Sequence, residues 1–148
     1  MGYTEMINVS RCRSFKLADS WKIHRKACKL PDMPIASGHM LFFYAVECGL
    51  KHLIIDTKKM KSCSNTKSDP LFSHDLFKIL KTLKPARSEI GLPPDQLRLT
   101  TPKSEHENFF DVHLAWRYGL EIDQKNEKEI MDWLQQVDKF LFRKIGKA

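Results

Sequence analysis

Paired cysteines, long apolar runs and alternating patterns are all missing from this 148-residue chain. Its four cysteines, Cys12, Cys28, Cys48 and Cys63, form no C-x-x-C pair. Their scatter fits reduced thiols better than a disulfide frame and so favours a cytoplasmic protein. His24 and Cys28 lie one helical turn apart, but no second pair completes a zinc site, so neither metal nor cofactor is expected. The opening MGYTEMINVS lacks a basic region followed by an apolar run, so no secretory signal is expected. Met6 stands where a myristoylation signal wants Ser or Thr. The most apolar stretch, Met40 to Ile55, contains Glu47, Lys51 and His52, which excludes a membrane span and marks a buried helix. Period-two alternation is never sustained, so no sheet is expected, and no internal repeat is visible.

What is present is a moderate hydrophobic fraction of 42%, gathered in clusters, beside a charged fraction of 29%. That suits one domain over residues 1–148 with one core. The net charge is +7, unevenly spread. Residues 51–87 hold nine Lys or Arg against three Asp or Glu, whereas residues 88–148 hold nine against eleven. A basic middle of this kind either attracts RNA or another polyanion, or is a solvated lysine surface.

The pattern predicts an antiparallel bundle of four to five helices, an all-α fold. The first helix spans about 9–29 and is stopped by the Pro31 to Pro34 turn. The second runs from Ala36 or Ser37 to about Thr57, apolar nearly all the way round and therefore central. Gly49 inside it marks a place for another helix to approach closely. Residues 58–69 are polar and read as a loop. Asp69-Pro70 looks like a helix start. The third helix follows, with Phe72, Leu76, Ile79, Leu80 and Leu83 in a stripe, and Pro85 ends it. Residues 85–103 read as a long connector, with a short helical turn at Asp95 to Leu99. Ser104 and Glu107 form a capping box that opens a fourth helix ending at Gly119. The last helix runs from about Lys125 to Lys144, with Ile130, Trp133, Leu134, Val137, Phe140, Leu141 and Ile145 on one face.

Three stretches carry residues with chemistry. Glu47 sits in an apolar run, where an unpaired carboxylate is very unfavourable. Its partner is Lys51, one turn later, or Arg117. Ser73-His74-Asp75 opens the third helix, where free amides favour anions. His74 there either contacts phosphate as acid or base, or bonds a backbone carbonyl. On the fourth helix His106, Phe110, His113 and Arg117 share a face. His113 and Arg117 are one turn apart, close enough for one phosphate to touch both, and Arg117 suits a bidentate contact or a salt bridge.

In order, these stretches resemble the HEPN (higher eukaryote and prokaryote nucleotide-binding) family. Its members commonly carry A-x-E-x-x-L-K in a central helix, here Ala45 to Lys51. They often have H-D-L opening the next helix, here His74-Asp75-Leu76, and R-Y late in a later one, here Arg117-Tyr118. The resemblance covers residues from about 35 to 120. It implies a compact helical bundle, often a homodimer. Many members are metal-independent ribonucleases of toxin–antitoxin, antiphage or CRISPR systems. Others bind nucleotides or accompany a nucleotidyltransferase. In the nucleases an arginine is followed, four to six residues on, by a histidine. No arginine here has that follower, and His113 and Arg117 occur in reverse order.

On this resemblance His74, His113 and Arg117 are the expected catalytic residues. Lys51, Lys78, Lys81 and Tyr118 are the expected RNA or phosphate contacts, and Glu47 and Asp75 the orienting carboxylates. Expected partners are RNA or a nucleotide, a second copy of the chain, and an antitoxin or nucleotidyltransferase, with no membrane. Three functions stay open: an RNA-directed effector or binder, a non-catalytic interaction module, and a nucleotide sensor.

Overall fold

The computed structural model describes residues 14–58, 75–84, 87–101, 103–106 and 108–146. Its first helix, α1 (Ser14–Ala27), tightens at its end into turns that span three residues instead of four, Lys29 N–H to Lys26 O and Leu30 N–H to Ala27 O. Pro31 and Pro34 then turn the chain. The Pro34 carbonyl accepts from Gly38 N–H at 2.8 Å and opens α2 (Ile35–Lys58). Proline suits that place because the amide it lacks would have no helical partner there.

Helix α2 is the centre of the core. Phe43, Ala45, Val46, Leu50 and Ile54 are buried along it. Helix α3 (Leu76–Leu83) begins at Asp75, whose side chain accepts from Phe77 N–H. It ends at Lys84, which takes the left-handed conformation at φ 50°. Leu76, Ile79 and Leu80 of the expected stripe are buried, and Leu83 is half-buried. The expected start at Asp69-Pro70, Phe72 and most of the 58–69 loop lie outside the described residues. A single turn, α4 (Arg87–Ile90), follows.

The all-helical expectation is corrected at this point, because the chain next builds a three-stranded antiparallel sheet. Strand β1 (Leu97–Thr101) is central, between β2 (Lys103–His106) and β3 (Glu121–Ile122). Leu97 pairs with His106 and Thr100 with Lys103, while Leu99 pairs with Ile122 on the other side. Leu97, Leu99 and Ile122 turn inward and are buried. The helical turn expected at Asp95 to Leu99 is therefore half strand, and the second part of the expected connector is ordered structure. The capping box is overturned for the same reason: Ser104, Glu105 and His106 pair with β1 instead of opening a helix.

The start of the next helix is set by Asn108. Its side chain accepts from Phe110 N–H at 2.8 Å and launches a 3₁₀ turn, Phe109–Asp111, which runs into α5 (Val112–Tyr118). An asparagine competes well as a cap because its short amide reaches the free amides two residues on. Gly119 closes α5 at φ 71°, where a side chain would be strained. The last helix, α6 (Gln124–Ile145), buries the whole apolar stripe read from the sequence.

Two polar clamps fix these elements. The buried Asn126 donates to Gln96 O at 2.8 Å and accepts from Arg98 N–H at 2.7 Å, tying β1 to the start of α6. Asp138 on α6 accepts from the Trp21 indole at 2.9 Å and from Arg25 Nε at 3.0 Å, tying α6 to α1. No helix among the described residues is long and apolar enough to cross a membrane.

Gly49 lies where α1, α2 and α6 meet. A Cβ there would stand 2.7 Å from Leu141 Cδ1 and 3.1 Å from Trp21 Cδ1, both fully buried side chains. We expect Gly49→Ala to lower stability by about 1–2 kcal/mol in urea denaturation, overpacking outweighing the better helix propensity. A variant as stable as the parent would show that the contact yields. Asn126→Ala is expected to cost about 2–3 kcal/mol, since it strands the Gln96 carbonyl and the Arg98 amide. Hydrogen exchange at the Arg98 amide should accelerate with it; unchanged protection there would refute the clamp.

Candidate functional site

Helices α2 and α5 pack together. Their contact sets Phe43 and Tyr44 of α2 against His113 of α5, with Glu47, Arg117 and Tyr118 near enough to act on the Tyr44 phenol. Spacings of three and four, Tyr44 to Glu47 on α2 and His113 to Arg117 on α5, put these side chains on one face of each helix, with Tyr118 beside Arg117 at the edge.

Lys51 Nζ lies 3.0 Å from Glu47 Oε2, and the two residues are 7% and 6% exposed. The pair resolves the burial problem posed by a carboxylate in an apolar run. Glu47 thus has Lys51 as an ion-pair partner. The Lys51 ammonium, expected to meet phosphate, is instead committed to Glu47 and has almost no solvent face.

His113 is half-buried and stacks on Phe43, with ring centres 5.0 Å apart and planes 24° apart. Its Nδ1 is 2.6 Å from the Phe110 carbonyl. A carbonyl only accepts, so Nδ1 carries the proton and Nε2 is the basic nitrogen of the neutral ring. That is the tautomer a general base needs, and the orientation is fixed by backbone. The Tyr44 ring is 6.3 Å away. Its phenol pKa is raised, chiefly by burial, with Arg117 pulling it down and Glu47 and Tyr118 pushing it up.

Arg117 and Tyr118 are both exposed, Tyr118 at 68%. The Arg117 guanidinium lies 5.7 Å from the Tyr118 ring centre. This forms a cation beside a flat aromatic face at the solvent edge of the seam, the pairing that nucleic-acid surfaces use for phosphate and base.

The other expected residues lie elsewhere. His106 is exposed on β2, with Ser104 Oγ 3.3 Å from its Nε2, so it does not share a helical face with His113. Phe110 is buried in the 3₁₀ turn. Asp75 caps α3. Lys78 and Lys81 are exposed on α3, and no interaction among the described residues joins them to the seam. His74 lies outside the described residues.

Asn108 and Phe43 were not singled out from sequence, yet they set where His113 sits and what it rests on. The Asn-Phe-Phe-Asp run carried a signal for the first, an amide cap ahead of buried aromatics. Phe43 gave none, since it is one of several aromatics in a uniformly apolar helix.

Compared with known proteins, the chain finds no counterpart: no family model, no curated protein and no solved structure matches it.

Cys48 sits beside the ion pair. Burial first, and Glu47 second, push its thiol up to about 11, against a smaller opposing pull from Lys51. A thiol that is harder to ionise when folded stabilises the protein below its unfolded pKa, and that stability drains away as pH rises through the folded value. Stability should therefore fall between about pH 9 and pH 11. Cys48→Ala should flatten that decline in denaturation curves taken at each pH; an identical decline would exclude Cys48 as its source.

Proposed function

We propose that this chain is an HEPN-like RNA-binding domain whose contact edge is Arg117 and Tyr118, with His113 behind them as the proton acceptor for metal-independent cleavage. The observation that carries this reading is the α2–α5 seam. A backbone-oriented imidazole there sits one helical turn, about 6 Å along the axis, from an exposed guanidinium on a tyrosine ring. The family resemblance supports it, since two of the motifs that suggested it meet at this seam.

The chemistry needs few parts. A ribose 2′-hydroxyl attacks the adjacent phosphorus, and its proton passes to His113 Nε2. The 5′-oxygen of the next nucleotide leaves, taking a proton from solvent to become a 5′-hydroxyl, and a 2′,3′-cyclic phosphate remains. Arg117 neutralises the charge that builds on the phosphorane oxygens. A second copy of the chain would set another Arg117–Tyr118 edge against the first, as the dimerising habit of the family implies. A prokaryotic defence or toxin–antitoxin role follows from the resemblance, and a cytoplasmic setting from the scattered, unpaired cysteines.

One observation favours a second reading, a non-catalytic module that dimerises or binds a partner such as a nucleotidyltransferase or antitoxin. The arginine-then-histidine order of the nucleases is missing, and Lys51, the expected second cation, is neutralised by Glu47.

Purified protein incubated with total RNA in a chelator distinguishes the two. Binding is expected to weaken steeply with salt and to fall about fivefold to tenfold in Arg117→Ala. Cleavage by the parent that both His113→Ala and Arg117→Ala abolish supports the nuclease. Intact RNA with binding leaves the binder alone. RNA neither bound nor cut leaves the protein-partner module.

A further inference from the structure

A cation-lined surface lies where the end of α1 meets the end of α6. A cleft of about 430 Å³ opens there, lined by Trp21, Lys22, Arg25, Lys26, Lys29 and Phe142, with Ile23 and Gly146 at its margins. The size falls within the range of small-ligand sites, about 300–1,000 Å³. Four of the lining residues are cations and none is an acid.

Its floor is rigid. Trp21 is 1% exposed, with its indole N–H held by Asp138 Oδ1. The other oxygen of Asp138 holds Arg25 Nε at 3.0 Å. So anchored, the Arg25 guanidinium lies 4.8 Å from the Trp21 ring centre and 5.5 Å from that of Phe142. The two rings are 6.5 Å apart. Phe142 itself is 52% exposed, so its ring has a solvent face beside the cationic cluster.

The lysines are not spent on internal pairs. Lys22, Lys26 and Lys29 have no carboxylate partner among the described residues. Cations in the last turn of a helix offset its carbonyl end, which accounts for His24, Arg25 and Lys26. It does not account for Lys22, a turn earlier, or Lys29, past the end.

We infer that this cleft binds single-stranded RNA, a base stacking on Phe142 and the Arg25 plane while Lys22, Lys26 and Lys29 take successive phosphates. A flat aromatic beside an immobilised guanidinium suits any base, and unpaired lysines suit a flexible backbone. The inference rests on the RNA-binding reading above and assigns that binding a second anchor, on the α1–α6 face.

The test uses the full chain, a fluorescent ten-nucleotide oligouridylate and a heparin fragment, a polyanion without bases. Phe142→Ala should weaken RNA binding by about tenfold or more and leave heparin binding unchanged, and Phe142→Trp should restore the affinity. The triple variant Lys22→Ala/Lys26→Ala/Lys29→Ala should weaken both ligands and lower the salt slope for RNA by about two. Circular dichroism checks that each variant is folded. If these variants bind RNA like the parent while Arg117→Ala does not, the cleft is overturned and the RNA reading stands. If the lysine variant weakens binding but Phe142→Ala does not, the surface is a general electrostatic patch and the stacking site is overturned. If the parent binds no RNA at any salt, the RNA reading fails and the cleft fails with it.

Discussion

The close meeting of three helices at Gly49 governs the arrangement. Trp21 from α1 and Leu141 from α6 both come to rest against a point on α2 that has no side chain. Because Trp21 is pressed into that point, its indole N–H turns to Asp138, and Asp138 in turn fixes Arg25. A packing constraint in the apolar core thus determines where a guanidinium stands near the surface. The fully buried residues of α2 and α6 supply the apolar area that offsets these desolvated polar groups.

The long helices were legible because their apolar residues recur over many turns. The α6 stripe from Ile130 to Ile145 is buried at each position read from sequence. Gly49 was legible too, as a costly residue in a helix that must have a packing reason. The sheet was not. Its buried residues on β1, among those described, are Leu97 and Leu99, and Ile122, which packs beside them, is more than twenty positions away. Three residues of alternation carry too little signal to outweigh the helix-like Ser-x-x-Glu pattern beside them. Helix starts failed in the same way: Asn108, an isolated amide with no Glu three places on, displaced the Ser104 box.

The seam between α2 and α5 was partly legible. Spacing alone put His113 and Arg117 on one side of a helix, and it put Lys51 within reach of Glu47. It did not reveal how those groups divide. His113 is turned inward onto Phe43, Arg117 outward beside Tyr118, and Lys51 is withdrawn into an ion pair. Burial separates side chains that look alike in a one-dimensional pattern, and burial is a property of the neighbouring helices. The basic character of the chain is likewise redistributed: a lysine from the charge-rich middle is neutralised inside, while an α1 cluster stands open around an aromatic.

The sheet carries a consequence for assembly. Its outer strand β2 presents Lys103, Glu105 and His106 to solvent, and its other outer strand, β3, is only two residues long. Charged and very short margins of this kind discourage a foreign strand from joining by backbone hydrogen bonds. Growth of the sheet into a continuous array is thereby disfavoured at both edges, which leaves the helical faces better suited to contact than the sheet.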